Sequence, residues 1–560
     1  MGSPVATLVR VGAGVSVRAF WIGVAGATAG VAAFLLAQLH AWPPHEDETL
    51  ALFVGQQPLG DMLGTVLGER GGAPLHFLLV HVVAWISPTL TGLRLLSVLF
   101  AVASIPVIAQ LLVRLTDRRT SLIATVLVAA SWVTLFHGIY GRMYSLFLFT
   151  SALSFLAFLR AVADNRRLSW ALWALATLAT IATHQYGTFV LAIQLVYLLV
   201  ARYRGQARLM PAAIALVAVL LAATPVWRST LVLASRFEVG IGNGTQLGGP
   251  WPVLQYLRSS LGDFVAGWTV VFAIVSALAA LGLYVLARER GMSAVFIGLA
   301  FLIPAGGLAI ASAGGASNAP ETRHLIFALP FFAALVATGI LRAARPAGAR
   351  APAAIALSVA AVVAAEIAWG WETTPTLYAG EPPRRAEARE AAENWLAATA
   401  RPSDVYFGYD PLFLGAREKG ADVGRTVVPR ADAKLALDAL LDAPQPLGRG
   451  VWVLDRSDGS RTVSNWSRFL EIDDRSPGAT FETRVFGPFL VVRSLEPTLT
   501  AEEFLRDTLA VQRTQLVQGY PYWYWDIANA QINDYTARAA LDRLYEQRAD
   551  AANDLPAPGG

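Results

Sequence analysis

Glu46, Asp47 and Glu48 stand side by side just after a hydrophobic run long enough to cross a bilayer. They lie in the stretch HAWPPHEDETLALFVGQQPLGDMLGTVLGERGGAPLH, which runs from His40 to His76. Three adjacent carboxylates at a membrane boundary are costly, because like charges repel and a dry environment disfavours the ionised form. Several uses fit them. Acids suit a solvated loop cap, or the first turn of a helix, where they meet the positive end of the macrodipole. A carboxylate held against a hydroxyl is a general base. The same groups can ligate a hard cation together with phosphate oxygens. Adjacent helical residues point about 100° apart, so all three cannot share one ligand.

Cations and aromatic polar residues recur further on. His76 and His81 sit in a short apolar run, and Arg94 opens the next long one. His137, Arg142 and Tyr144 surround one break between apolar runs, His184, Gln185 and Tyr186 another, and Arg323 with His324 a third. Taken singly, an arginine at the end of a span is a snorkelling anchor, and a histidine there is a satisfied polar cap. His81 reads as packing. If all of them share one membrane face with the acids, they are the parts needed to receive a hydroxyl acceptor and an anionic lipid phosphate. The carboxylate takes the proton, while arginine and histidine hold the charge that develops on the phosphate.

Whether they share a face depends on the spans. Of 560 residues, 55% are hydrophobic and 15% charged, with mean hydropathy +0.49, which describes a protein crossing the membrane many times. The first span covers Arg18 to Leu39 and is uncleaved, with its N-terminus in the cytoplasm, because its apolar core is too long for a signal peptide. The apolar run Leu75–Ile86 is shorter than the roughly 20 residues a span needs. Reading it as interfacial makes 41–92 one external loop and keeps Arg114, Arg118 and Arg119 inside. Further spans follow near 93–113, 120–138, 143–162, 169–184, 187–201, 210–227, 263–287, 293–312, 324–341 and 351–370, about eleven in all. With this register the arginine-rich turns all fall on the cytoplasmic side. The acids, Arg94, the three polar turns and everything after 370 fall outside. The loops 228–262, with its glycine-rich GIGNGTQLGG, and 313–323 are external too, the longer one reading as a lid or a plain connector.

Residues 371–560 change character, being charged and punctuated by proline. Short apolar runs in DVYFGYD, GVWVLD and GPFLVVRS read as buried strands, alternating with helical stretches at Arg385–Ala398 and Ala433–Leu441. This is a soluble α/β domain with a helical tail that carries the aromatic run from Tyr520 to Trp525. Such a run stacks on sugars or sits among lipid headgroups. Asn465-Trp-Ser is a sequon by letter only.

Several classes drop out. With no cysteine there is no disulfide, thiol catalysis or thiolate metal site. The positive charge is almost all arginine, spread in small groups that set topology and form no nucleic-acid face. No HExxH, P-loop or GxSxG pattern appears in its required context. A membrane lipid or glycolipid transporter stays open; it would be expected to show repeated halves with broken helices at matching positions, and none are seen. A non-enzymatic envelope assembly protein stays open, with its function in the C-terminal domain.

The order of these pieces is similar to the GT-C superfamily of polyprenyl-phosphate-sugar-dependent glycosyltransferases, which includes protein O-mannosyltransferases, lipid A aminoarabinose transferases and bacterial arabinofuranosyltransferase-like families. HEDET, GGAPLHFLLVHVVAW, LRLLSVLFA, YGRMYSLFLFTSALSFLAF, THQYGTFVLAIQLVYLL and TRHLIFALP carry the resemblance, in that order. It implies a membrane catalytic domain over 1–370 and an extracytoplasmic domain over 371–560. The implied reaction is inverting transfer of a sugar from a polyprenyl phosphate to a hydroxyl on a glycan, lipid or protein. Asp47 is implied as the catalytic base and Glu48 as the second acid. Arg94, Arg142, Tyr144, His184, Arg323, His324 and His76 are implied near the donor phosphate or sugar. No cofactor follows, and a divalent metal has no support beyond the acidic run. Gly141, the pair Ala73-Pro74 and His324 depart from the family pattern, which leaves the donor sugar open.

Overall fold

Inside hydrocarbon each backbone N–H and C=O must be satisfied within the protein, so long apolar runs fold as helices. A computed structural model of the chain describes residues 15–69, 72–205, 209–236, 250–313, 322–423, 426–429, 433–455, 481–517 and 524–553. The GIGNGTQLGG stretch, most of the 313–323 connection, Asn465 and the aromatic residues Tyr520 to Trp523 lie outside the described residues.

A helix lies over each apolar run read from the sequence: Val17–Gln38, Leu90–Leu115, Arg118–Ala130 with Trp132–Ile139, Tyr144–Asp164, Arg167–Thr183, Gly187–Tyr203, Leu209–Arg236, Thr269–Glu289, Gly291–Ala313, Leu329–Ala344 and Ala351–Thr373. By length and composition, 7 helical stretches among the described residues can cross a membrane; the stretch Thr322–Thr373 holds two of the helices just named. The pair Arg118–Ala130 and Trp132–Ile139, bent by 52° at Ser131, brings the number to 8. The chain is an integral membrane protein. Arg167–Thr183 and Gly187–Tyr203 have 17 residues each, slightly under that length limit. The run after the acids forms the helix Pro74–Ile86, whose 13 residues are too few to span, as its interfacial reading requires.

The chain forms two compact units, one of Met1–His40 with Val54–Thr373, the other of Ala41–Phe53 with Thr374–Gly560. The acidic residues therefore belong to the second unit, through the helix Glu46–Gly55. There the Ala41 carbonyl accepts the Glu381 N–H at 2.7 Å, and the Phe53 ring packs beside Tyr409 under the Arg417 guanidinium.

The second unit also holds a sheet of order β2-β1-β3-β5-β4, made of β1 (Val405–Phe407), β2 (Val427–Val428), β3 (Gly450–Asp455), β4 (Phe481–Phe486) and β5 (Phe489–Ser494). β1, β2 and β3 run parallel, and β5 pairs antiparallel with both β3 and β4. Side chains alternate between faces. Val405, Phe407, Trp452, Leu490 and Val492 pack under the helices Ala433–Asp442, Ala501–Val517 and Tyr524–Asn553. Tyr406, Val451, Val453, Phe489 and Val491 pack under Pro383–Thr399 and Pro411–Glu418. The α/β character and the three sequence-read strands are all present, and β2 and β4 are additional strands.

In the first unit, Thr269–Glu289 and Leu329–Ala344 approach at backbone distance. A Cβ on Gly282 would overlap the Leu335 carbonyl, and one on Gly339 the Leu278 carbonyl. Without a hydrophobic drive between helices in lipid, such close small-residue contacts hold spans together. Gly339→Val should lower stability in detergent by about 1–3 kcal/mol, the usual cost of forcing extra carbon into a packed contact. Gly298→Val, where a Cβ meets nothing within 4 Å, should leave it unchanged. Thermal unfolding of the two variants beside the parent checks this.

Candidate active site

The acidic helix starts where it does because its own side chains close its N-terminus. The first N–H groups of a helix lack intrahelical acceptors. Here Glu48 Oε2 accepts the His45 N–H at 3.1 Å, and the His45 ring nitrogen Nδ1 accepts the Asp47 N–H at 3.1 Å. This is the reciprocal capping-box arrangement with histidine in the cap position. Glu48 is fully buried, whereas Glu46 and Asp47 are half-buried. Asp47 gives its N–H to the cap, and Glu48 gives its carboxylate. The two ends of the acidic stretch are fixed within the membrane unit. Arg94, buried on the helix Leu90–Leu115, donates from Nη1 to the Leu39 carbonyl at 3.1 Å, and His81 Nδ1 donates to the Gly55 carbonyl at 2.8 Å. His81 is thus a packing and backbone-holding residue, as its apolar setting suggests.

The other candidates gather in the membrane unit. His137 ends the helix Trp132–Ile139, the turn after it carries Arg142, and Tyr144 starts the next helix. The Ser145 hydroxyl donates back to the His137 carbonyl, and Arg142 N–H to the Tyr140 carbonyl at 2.6 Å, so the turn is tightly folded. His184 follows the helix Arg167–Thr183, and its Nδ1 accepts the Tyr186 N–H at 3.2 Å, which leaves the ring proton on Nε2. Gly187 is required there, because a Cβ would lie 2.7 Å from the Ile181 backbone. Arg323 and His324 open the 3-10 segment Thr322–Ala328.

These residues form one nest. The Arg323 guanidinium lies 4.8 Å from the centre of the Tyr144 ring, a cation–π contact. His324 stacks on Tyr144 at 6.0 Å and meets the His184 ring at 4.8 Å and the Tyr186 ring at 5.3 Å. His137 lies 4.7 Å from Tyr144, and Phe147 4.8 Å from His184. The Arg323 charge acts on His137 and His184, and the Arg142 charge on His76 and His184. Three ring nitrogens, His76 Nε2, His137 Nδ1 and His324 Nδ1, are buried with no hydrogen-bond partner among the described residues. Two arginine cations, aromatic walls and unmatched imidazole nitrogens in one apolar place suit an anionic group that brings its own oxygens. Among the described residues no group of three or more His, Asp or Glu side chains is placed to hold a metal ion.

Of the sequence candidates, Arg142, Tyr144, His184, Arg323, His324 and His76 come together here. Asp47 and Glu48 lie in the other unit, and Arg94 reaches the Leu39 carbonyl. Glu366, Ser131 and Phe147 were not singled out from the sequence. Glu366 had a signal, a lone acid inside an apolar run.

ArnT from Cupriavidus metallidurans in the apo state superposes with TM-score 0.51 at 13% identity, covering 85% of this chain and 98% of that one. The same protein bound to undecaprenyl phosphate superposes with TM-score 0.53 at 12% identity, with the same coverage. The chain has the GT-C fold. The Archaeoglobus fulgidus oligosaccharyltransferase in the apo form aligns over 79% of this chain and 72% of its own at 10% identity, with TM-score 0.48. No family model and no curated protein sequence matches the chain. The nest is built from two breaks between consecutive apolar helices, at 140–143 and 184–186, and from the 3-10 segment Thr322–Ala328, so Arg142 and Arg323 come from different parts of the sequence.

Burial, and then the Arg142 charge, push His76 down to about 3 from its ordinary 6.5. A histidine so depressed is neutral at working pH and acts as a hydrogen-bonding group. The unfolded chain takes up this proton below about pH 6.5 while the folded chain does not, so stability is complete above 6.5 and lost as pH falls toward 3. His76→Gln should remove that loss. Its stability relative to the parent should improve by about 2 kcal/mol between pH 7.5 and pH 5, checked by thermal unfolding at both.

Proposed function

We propose that this chain is an inverting glycosyltransferase that moves a sugar from a polyprenyl phosphate to an acceptor hydroxyl at the extracytoplasmic face of the membrane. The observation that carries the reading is the nest of Arg142 and Arg323 with His184, His324 and Tyr144 inside a GT-C fold. An ArnT of this fold, bound to undecaprenyl phosphate, supports a polyprenyl phosphate as the donor lipid.

In this reading Asp47 removes the acceptor proton as the hydroxyl oxygen attacks the anomeric carbon. The bond from that carbon to the phosphate oxygen breaks, and its electron pair leaves with the polyprenyl phosphate. Attack opposite the leaving group inverts the anomeric centre. Arg142 and Arg323 hold the growing phosphate charge, and preorganised cations in a dry site are effective because they need no reorganisation during the reaction. The neutral histidines donate or accept hydrogen bonds to phosphate or sugar, and Tyr144 and Tyr186 supply ring faces. Glu48 holds the helix start that aims Asp47, and Arg94 holds the chain entering it.

Two measurements test this. With a panel of polyprenyl-phosphate sugars, in detergent and with and without chelator, Asp47→Asn should cut turnover about 100- to 10,000-fold while donor binding persists, the range a lost general base commands. Arg323→Gln should weaken donor binding as well. Equal turnover in Asp47→Asn and the parent would exclude Asp47 as the base, and no turnover with any donor would overturn the reading. The orientation is tested separately, since the parent has no cysteine. A membrane-impermeant maleimide on intact cells should label Glu496→Cys and spare Arg119→Cys, both at exposed positions; the reverse pattern would put the site on the cytoplasmic face.

A further inference from the structure

Glu366 lies within the apolar helix Ala351–Thr373, and it is 2% exposed. A carboxylate there is tolerated only where donors meet it. Its Oε1 accepts the Trp132 N–H at 2.7 Å and the Ser131 hydroxyl at 3.1 Å.

Both donors come from one irregular place, and a second irregular turn lies beside the same helix. Ser131 is the break between Arg118–Ala130 and Trp132–Ile139, and its side chain makes no cap bond to the second helix. A helix restarting inside a membrane leaves its first N–H groups without intrahelical acceptors. Glu366, from another helix, takes the first of them. Ala266 has φ 81°, the left-handed region that non-glycine residues rarely adopt, in the turn between Pro250–Asp263 and Thr269–Glu289. The same helix face grips that turn twice. A Cβ on Gly267 would lie 2.7 Å from the Trp369 ring, and Trp268 Nε1 donates to Glu372 Oε2 at 2.9 Å. Glu366, Trp369 and Glu372 follow one another at three-residue spacing, which puts them on one face.

The helix Trp132–Ile139 has 8 residues, too few to hold its place by local propensity. Its last turn carries His137 and it leads directly into Arg142 and Tyr144, so its starting point sets where the nest's first wall stands.

We propose that Glu366 is a positioning residue that caps the half-helix Trp132–Ile139 from outside and thereby places His137, Arg142 and Tyr144. Its effect on turnover rests on the glycosyltransfer reading; its effect on the backbone does not.

The test compares the parent, Glu366→Gln, which keeps an acceptor oxygen, and Glu366→Leu, which has none. Backbone hydrogen exchange over residues 131–142 and sugar transfer are measured on the same detergent-purified proteins. Glu366→Leu should exchange roughly tenfold faster in that segment, the factor of one ordinary lost hydrogen bond. Its kcat should fall about 100-fold with a smaller change in donor KM, as misplacement of a site predicts. Glu366→Gln should restore both to near the parent. Unchanged exchange over 131–142 in Glu366→Leu, or equal exchange in the Gln and Leu variants, would overturn the proposal. If the leucine variant does not fold, Glu366→Met takes its place. Failure of both apolar variants to fold, beside a parent-like Glu366→Gln, would make Glu366 a residue of the whole fold and also overturn it. A parent inactive with every donor would defeat the glycosyltransfer reading alone, since the exchange comparison still stands.

Discussion

Positive charge inside an apolar surround has to be matched by whatever lies next to it, and the membrane unit is arranged around that constraint. Arg323 lies over the face of Tyr144, which is itself in contact with His137, His184 and His324. Aromatic faces and neutral imidazoles line that guanidinium charge. Burial keeps His76 neutral beside Arg142, so the local charge is carried by the arginines, and the imidazoles are left to hydrogen-bond.

Such a nest can be built only where helices stop. A continuous helix satisfies its own backbone and presents side chains radially, whereas a break frees both backbone groups and side-chain directions. The membrane unit supplies three such places: the breaks at 140–143 and 184–186, each followed directly by a new helix, and the 3-10 segment Thr322–Ala328. A fourth, at Ser131, bends the chain so that the short helix before Arg142 points differently from the one preceding it. Each break has its own device for the backbone it frees, whether the Ser145 hydroxyl on the His137 carbonyl, the His184 ring on the Tyr186 N–H, or Glu366 at Ser131 and Trp132. The acidic helix uses the same economy, with Glu48 and His45 closing its start.

Much of this was legible in the sequence. Apolar runs of sufficient length dictated the helices, because nothing else satisfies a backbone in lipid, and arginine-rich turns dictated a consistent register. Short apolar runs over Val405–Phe407, Gly450–Asp455 and Phe489–Ser494 marked buried strands. The polar residues at helix breaks were visible as candidates because charge and aromatic hydroxyls are expensive in such places. Glu48 was ambiguous, since an acid three residues into a helix serves equally as a cap and as a catalytic partner.

Composition, period and charge placement thus determined by themselves that the chain crosses the membrane many times, where its helices run, and which residues were costly enough to need a purpose. The tertiary structure alone decided which of those residues meet. The ring contacts among Tyr144, His184 and His324 join positions far apart in sequence, and the Glu366 bonds join positions 235 and 234 residues apart. No local pattern records such distances, because packing of whole helices sets them. The same packing turned Arg94 toward the Leu39 carbonyl and placed the residues 41–53 with the C-terminal unit, facts that depend on contacts between segments and not on the segments themselves.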